Sequence, residues 1–110
     1  MNLDDYQEQA KSTAIYDKKH AIIYPALGLA GEAGEVSNKV KKLLRDGYEN
    51  NKDYRKEISD EIGDVLWYVA VLADDIGIKL SDIAFNNVVK LKDRQARNVI
   101  GGSGDKRWAN

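Results

Sequence analysis

Apolar residues recur along the chain at intervals of three and four, the period of a helix with one buried side. Tyr6, Ala10, Thr13 and Ala14 carry that spacing first and predict a helix over residues 4–17. The segment KKHAIIYP breaks the pattern, and Tyr24-Pro25 suits a helix start, where the N–H that proline lacks is not needed. A second stripe, Ala26, Leu29, Ala30, Ala33, Val36, Val40, Leu43 and Leu44, predicts a helix over residues 25–46, stopped by Gly47. YENN follows as a loop whose asparagines can cap the next helix. Ile58, Ile62, Val65, Val69, Leu72, Ala73 and Ile76 predict a third helix over residues 52–76, ending before Gly77. Leu80, Ile83, Ala84, Val88 and Leu91 predict a fourth over residues 81–97, with Ser81 as its N-cap. Residues 98–110 are too glycine-rich for a long helix. The expected architecture is all-α: four main helices in an antiparallel bundle, followed by a Gly-rich C-terminal tail.

Two helices carry apolar residues off their main stripe. Trp67, Ala70 and Val71 point away from it on the third helix, and Phe85 and Val89 do so on the fourth. A helix apolar on two sides is buried on two sides, so these residues are expected to form a subunit interface. With 110 residues the chain fits one domain over 1–110, short enough to gain core by oligomerisation.

Composition removes several function classes. The formal net charge is −1, so no global basic field argues for nucleic acid as a partner. The absence of cysteine excludes disulfides, thiolate nucleophiles and Cys-based zinc sites. No apolar run approaches the ~20 residues of a membrane span, and the acidic, polar start MNLDDYQEQAK is unlike a signal peptide. The expectation is a soluble, cytoplasmic protein with no membrane or nucleic-acid partner.

The chemistry concentrates in two matched segments. EAGE places Glu32 and Glu35 on the second helix, and EIGD places Glu61 and Asp64 on the third. Residues at i and i+3 share a helix face. At ~100° per residue, both acid pairs fall to the same side of their apolar stripes. Two stripes packed on one core would therefore bring four carboxylates to one edge. Like charges so close repel, and a divalent cation relieves that repulsion. Oxygen donors suit Mg²⁺, Mn²⁺ or Ca²⁺, and Mg²⁺ shares its coordination with substrate phosphates. The spacing alone fits either two solvated acidic faces or a metal site for phosphate chemistry. A di-iron bundle would need Glu-x-x-His on two helices, and the single histidine, His20, lies in an expected loop.

Other residues extend the pattern. Asn87 falls within the fourth apolar stripe, as a buried structural hydrogen bonder or a donor to substrate. Lys90 and Arg94 follow on one flank, as a solvated edge or as phosphate ligands. Trp67 suits either the interface or stacking on a nucleobase. The tail GGSGDKRW offers backbone amides, Lys106 and Arg107, but lacks the Walker A pattern. Gly28 and Gly31 interrupt the second helix beside the acids, at about 0.8–1.0 kcal/mol each. They are expected to let a neighbouring helix or the metal–phosphate unit approach closely, whereas Gly34 serves packing on the far face.

GLAGEAGEVSNKVKKLLRDG, with KEISDEIGDVLWYVAVLADDIGIKLSDIAFNNVVKLKDR, strongly resembles the MazG-like nucleotide pyrophosphohydrolases of the all-α NTP pyrophosphatase superfamily, with dimeric dUTPases as relatives. The likeness covers residues 6–97. The family pattern Glu-x-x-Glu, spacer, Glu-x-x-Asp is matched by Glu32, Glu35, Glu61 and Asp64, and Asn-x-x-Lys by Asn87 and Lys90. The resemblance implies Mg²⁺-dependent hydrolysis of a nucleoside triphosphate, NTP or dNTP, to the monophosphate and pyrophosphate, with Mn²⁺ as a substitute metal. It implies the four acids as metal ligands, with Glu32 or Glu35 as general base. Asn87, Lys90, Arg94, Lys106, Arg107 and Trp67 stand on the substrate side. It also implies a homodimer or homotetramer. The alternative is a non-catalytic nucleotide- or metal-binding regulatory module on the same scaffold.

Overall fold

A computed structural model of the chain describes residues 1–97. Four α-helices are present among them, α1 (Leu3–Ser12), α2 (Ile23–Asp46), α3 (Tyr54–Asp75) and α4 (Leu80–Ala96). Short 3₁₀ turns lie at Lys18–His20 and Tyr48–Asn50. No strand occurs among the described residues. The tail, including Lys106 and Arg107, lies outside them.

α1 opens with a capping box: Asp5 N donates to Asn2 Oδ1 at 2.8 Å, and Asn2 N donates to Asp5 Oδ2 at 3.2 Å. It ends several residues before the expected residue 17. The Ser12 and Thr13 hydroxyls donate to the carbonyls of Gln9 and Ala10, competing with the helical ladder where it stops. Before α2 the chain makes a γ-turn at Ile22 (φ 70°, ψ −55°), with Ile23 N donating to Ala21 O at 2.8 Å. That conformation is strained for a β-branched residue. Asp75 holds it in place, accepting from Ile22 N at 2.9 Å and from the Tyr16 hydroxyl at 2.7 Å. Pro25 falls within the first turn of α2, where no intrahelical N–H bond is lost.

α2 and α3 run antiparallel, since residues advancing along α2 meet residues receding along α3. The Tyr24 ring lies 6.4 Å from the Tyr68 ring, while Glu32, further along α2, neighbours Glu61 and Asp64. Gly47 ends α2 at φ 88° with its N–H on Leu43 O, as expected. Gly77 (φ 74°) ends α3 in a Schellman motif, with Ile78 N on Ala73 O and Gly77 N on Asp74 O.

The start of α4 differs from the expectation. Ser81 lies one residue inside the helix rather than at its cap, and the preceding Lys79 makes no side-chain cap bond. The cap comes from α1: Leu80 N donates to Gln7 Oε1 at 3.0 Å, and Ser81 N to Asp4 Oδ1 at 3.0 Å.

The assignment of the two apolar faces of α3 is also corrected. Ala70 and Val71, expected at a subunit interface, are buried in the chain's own core with Ala10, Ala73 and Leu80. Trp67 packs against that core beneath α1. Several members of the expected main stripes are exposed instead, among them Leu44, Ile62, Val88 and Leu91. The reason is α1: its small residue Ala10 seats against the off-stripe side of α3, and among the described residues apolar surface on α2, α3 and α4 stays exposed.

Candidate metal centre

The acids of α2 and α3 meet where the two helices cross at close range. Donor oxygens from Glu32, Glu61 and Asp64 all lie within 4.8 Å of one another. Glu32 and Glu61 are half-buried and Asp64 is exposed, so the cluster opens to solvent on one side. Glu35 is exposed and stands outside this group of three, although its charge still acts on Glu32. His20 lies in the exposed first 3₁₀ turn and contributes nothing here.

Burial raises the Glu32 carboxyl above the ordinary carboxylate value, and the negative charges of Asp64, Glu61 and Glu35 add to that shift. A carboxylate pushed up by other carboxylates sits in a site short of positive charge. An all-oxygen donor set of this kind suits a hard divalent cation, with room on the open side for water or phosphate oxygen. The residues therefore fit the metal that the acidic pattern implies.

An aromatic wall borders the acids. The Tyr68 phenol is raised by burial first, then by Tyr24, Glu32 and Asp64; the Tyr6 phenol is raised by burial and by Asp64. Tyr68 reaches its place because α2 carries Gly28 opposite it. A Cβ at Gly28 would stand 2.1 Å from the Tyr68 ring. Gly28 thus permits the close helix approach expected of it. At Gly31 and Gly34 a Cβ would meet nothing within 4 Å in the single chain. Neither Tyr68 nor Tyr6 stands among the site residues expected from the sequence. The signal for Tyr68 was its position four residues after Asp64, one turn along the same face.

The other expected residues are more dispersed. The Trp67 indole N–H donates to Thr13 Oγ1 at 2.7 Å, and its ring meets Tyr68 edge-on at 4.9 Å, so it bridges α1 and the aromatic wall. On α4, Asn87 is exposed, Lys90 half-buried and Arg94 buried. None of the three belongs to the acidic cluster.

A family model for the MazG nucleotide pyrophosphohydrolase domain matches residues 24–99 of this chain. The gene 37 protein of Mycobacterium phage L5 is 45% identical over 114 residues, an alignment covering 97% of this chain and 100% of that protein. No solved structure shows a significant match.

Proposed function

The chain belongs to the MazG nucleotide pyrophosphohydrolase family, and we propose that it hydrolyses nucleoside triphosphates, NTP or dNTP, between the α and β phosphates. Water attacks the α-phosphorus and forms a new P–O bond there. The bond from that phosphorus to the α–β bridging oxygen breaks, and the products are the nucleoside monophosphate and pyrophosphate. The observation that carries this reading is the convergence of Glu32, Glu61 and Asp64 within 4.8 Å on two antiparallel helices.

When bound, Mg²⁺, or Mn²⁺ in its place, supplies positive charge for the phosphate oxygens and for the charge that develops on them. Glu32, Glu61 and Asp64 hold it through carboxylate oxygens, and Glu35, on the next turn of α2, completes the ligand set. Glu32 or Glu35 accepts the proton of the attacking water. Asn87, Lys90 and Arg94 of α4, with Lys106 and Arg107 of the tail, bind substrate oxygens and the departing pyrophosphate. Trp67 supports Tyr68, which faces the nucleoside side of the site. Chains associate through the uncovered apolar faces as a homodimer or homotetramer, and the single domain over 1–110 acts on the cytoplasmic nucleotide pool.

The test is incubation with a panel of NTPs and dNTPs, with and without Mg²⁺, scoring pyrophosphate and orthophosphate separately. Mg²⁺-dependent pyrophosphate release is the expected result. Nucleotide binding by calorimetry without turnover on any member of the panel would favour the regulatory module instead.

A further inference from the structure

Gln7 is a buried polar residue on a helix that carries none of the clustered acids, and both its amide nitrogen and its amide oxygen are engaged. Its Nε2 donates to Ala70 O on α3 at 3.4 Å and to Ile78 O in the connection at 3.0 Å. Its Oε1 accepts from Leu80 N, the first residue of α4, at 3.0 Å. One side chain thus bridges the end of α3, the turn after Gly77 and the beginning of α4. One turn earlier on α1, Asp4 takes two bonds from the next residue of α4: Ser81 N to Oδ1 at 3.0 Å and Ser81 Oγ to Oδ2 at 2.7 Å. A carboxylate at a helix N-terminus is also favoured by the helix dipole.

We propose that Gln7 and Asp4 are positioning residues, a clasp on α1 that fixes the direction in which α4 leaves the Gly77 turn and thereby places Asn87 and Lys90 against the bound nucleotide. The proposal rests on the reading of α4 given under Proposed function. Its physical ground is leverage. Gly77 provides the turn with a conformation open to glycine (φ 74°), and the connection from Gly77 to Leu80 is short. Past the first turn of α4, Phe85, Val88 and Val89 are exposed, so the middle of the helix is held mainly through its two ends, the clasp at Leu80 and Ser81 and the buried Arg94. Lys90 stands ten residues beyond Leu80, roughly 15 Å along the helix at 1.5 Å per residue. A tilt of about 10° at the clasp therefore moves Lys90 by roughly 2.5 Å, and misplacement of even about 1 Å costs as much as a hundredfold in rate. None of the clustered acids takes part in the bonds of the clasp. Breaking the clasp should consequently separate catalysis from metal binding.

The experiment uses the full chain, whose lack of cysteine lets introduced thiols be labelled without background. Spin labels at Arg55→Cys on α3 and Lys92→Cys on α4, diluted with unlabelled chain, report the distance between the helices. The expected distribution is narrow in the parent and broad in Gln7→Leu. Ser81→Ala, which removes one of the two bonds to Asp4, should fall between them and guards against a Gln7 variant that does not fold. In the same variants kcat/KM is expected to fall roughly ten- to hundredfold, while Mn²⁺ affinity, read by direct titration, stays that of the parent. An unchanged distance distribution overturns the clasp. A broadened distribution with unchanged kcat/KM, or a loss of Mn²⁺ affinity in step with kcat/KM, overturns the positioning role. Absence of turnover in the parent overturns the reading of function, and the distances then still decide whether the clasp holds α4.

Discussion

Glu32 shares its surroundings with Glu61, Asp64 and Glu35, and the resulting shift has a definite sign. Its carboxyl titrates higher in the folded chain than in the unfolded one. Ionising it therefore costs stability, fully above the folded pKa and not at all below the unfolded one of about 4.3. Glu32→Gln should raise the metal-free melting temperature at neutral pH, with the gain fading as pH falls toward 4. The same substitution should abolish the Mg²⁺-induced rise in melting temperature seen in the parent; thermal melts across pH, with and without Mg²⁺, check both. Asp4 shifts the other way, held down by its bonds from Ser81. Its contribution is present above the unfolded carboxylate pKa and disappears as pH drops through the lower folded value. The glycines divide similarly. Gly28→Ala forces the Tyr68 ring aside and should destabilise by about 1–3 kcal/mol. Gly31→Ala meets open space and should gain up to about 1 kcal/mol of helix propensity in the isolated chain. Denaturant titration of the two variants should give opposite signs. The approach of Glu32, Glu61 and Asp64 was legible from spacing because i, i+3 pairs on matched faces are a local property. The exclusion of Glu35 from the converging group was not, because it depends on how α2 is rotated against α3.

At the scale of elements, α1 reorganises what the stripes alone suggest. The periodicity of α3 identified both of its apolar sides, but it carried no information about which side the same chain would cover. Ala10 and the Thr13 hydroxyl settle that locally: a small residue admits close packing over Ala70 and Val71, and Thr13 Oγ1 accepts the Trp67 indole N–H. Thr13→Val keeps the shape and removes the acceptor. It should cost about 0.5–1 kcal/mol, because the bond is exposed and water can take the indole N–H, and should shift tryptophan emission. An unchanged stability in urea would show that the bond contributes nothing. The stops at Gly47 and Gly77 were readable because a positive φ after a helix calls for glycine. The cap of α4 was not, because its acceptors come from Asp4 and Gln7, more than seventy residues away in sequence.

At the scale of the molecule, one copy leaves much apolar surface in water. Leu27 is 70% exposed, Leu44 78% and Phe85 66%. Scattered apolar residues on a surface are ordinary, but side chains of this size on α2 and α4 of one small domain are what the proposed association between chains would cover. Phe85→Glu should shift the species seen in sedimentation equilibrium toward the single chain and leave direct Mn²⁺ binding in place. A distribution matching the parent's would exclude Phe85 from the contact. Among the described residues no helix is long and apolar enough to cross a membrane.

The central claim is that this acidic cluster directs water to the α-phosphorus of a nucleoside triphosphate. Hydrolysis in heavy-oxygen water, with mass analysis of both products, reads the attacked atom directly. The expected result is one heavy oxygen in the nucleoside monophosphate and none in the pyrophosphate, in a reaction that requires Mg²⁺ and is lost in Glu61→Gln. Heavy oxygen in the pyrophosphate, or release of labelled orthophosphate in its place, would contradict it.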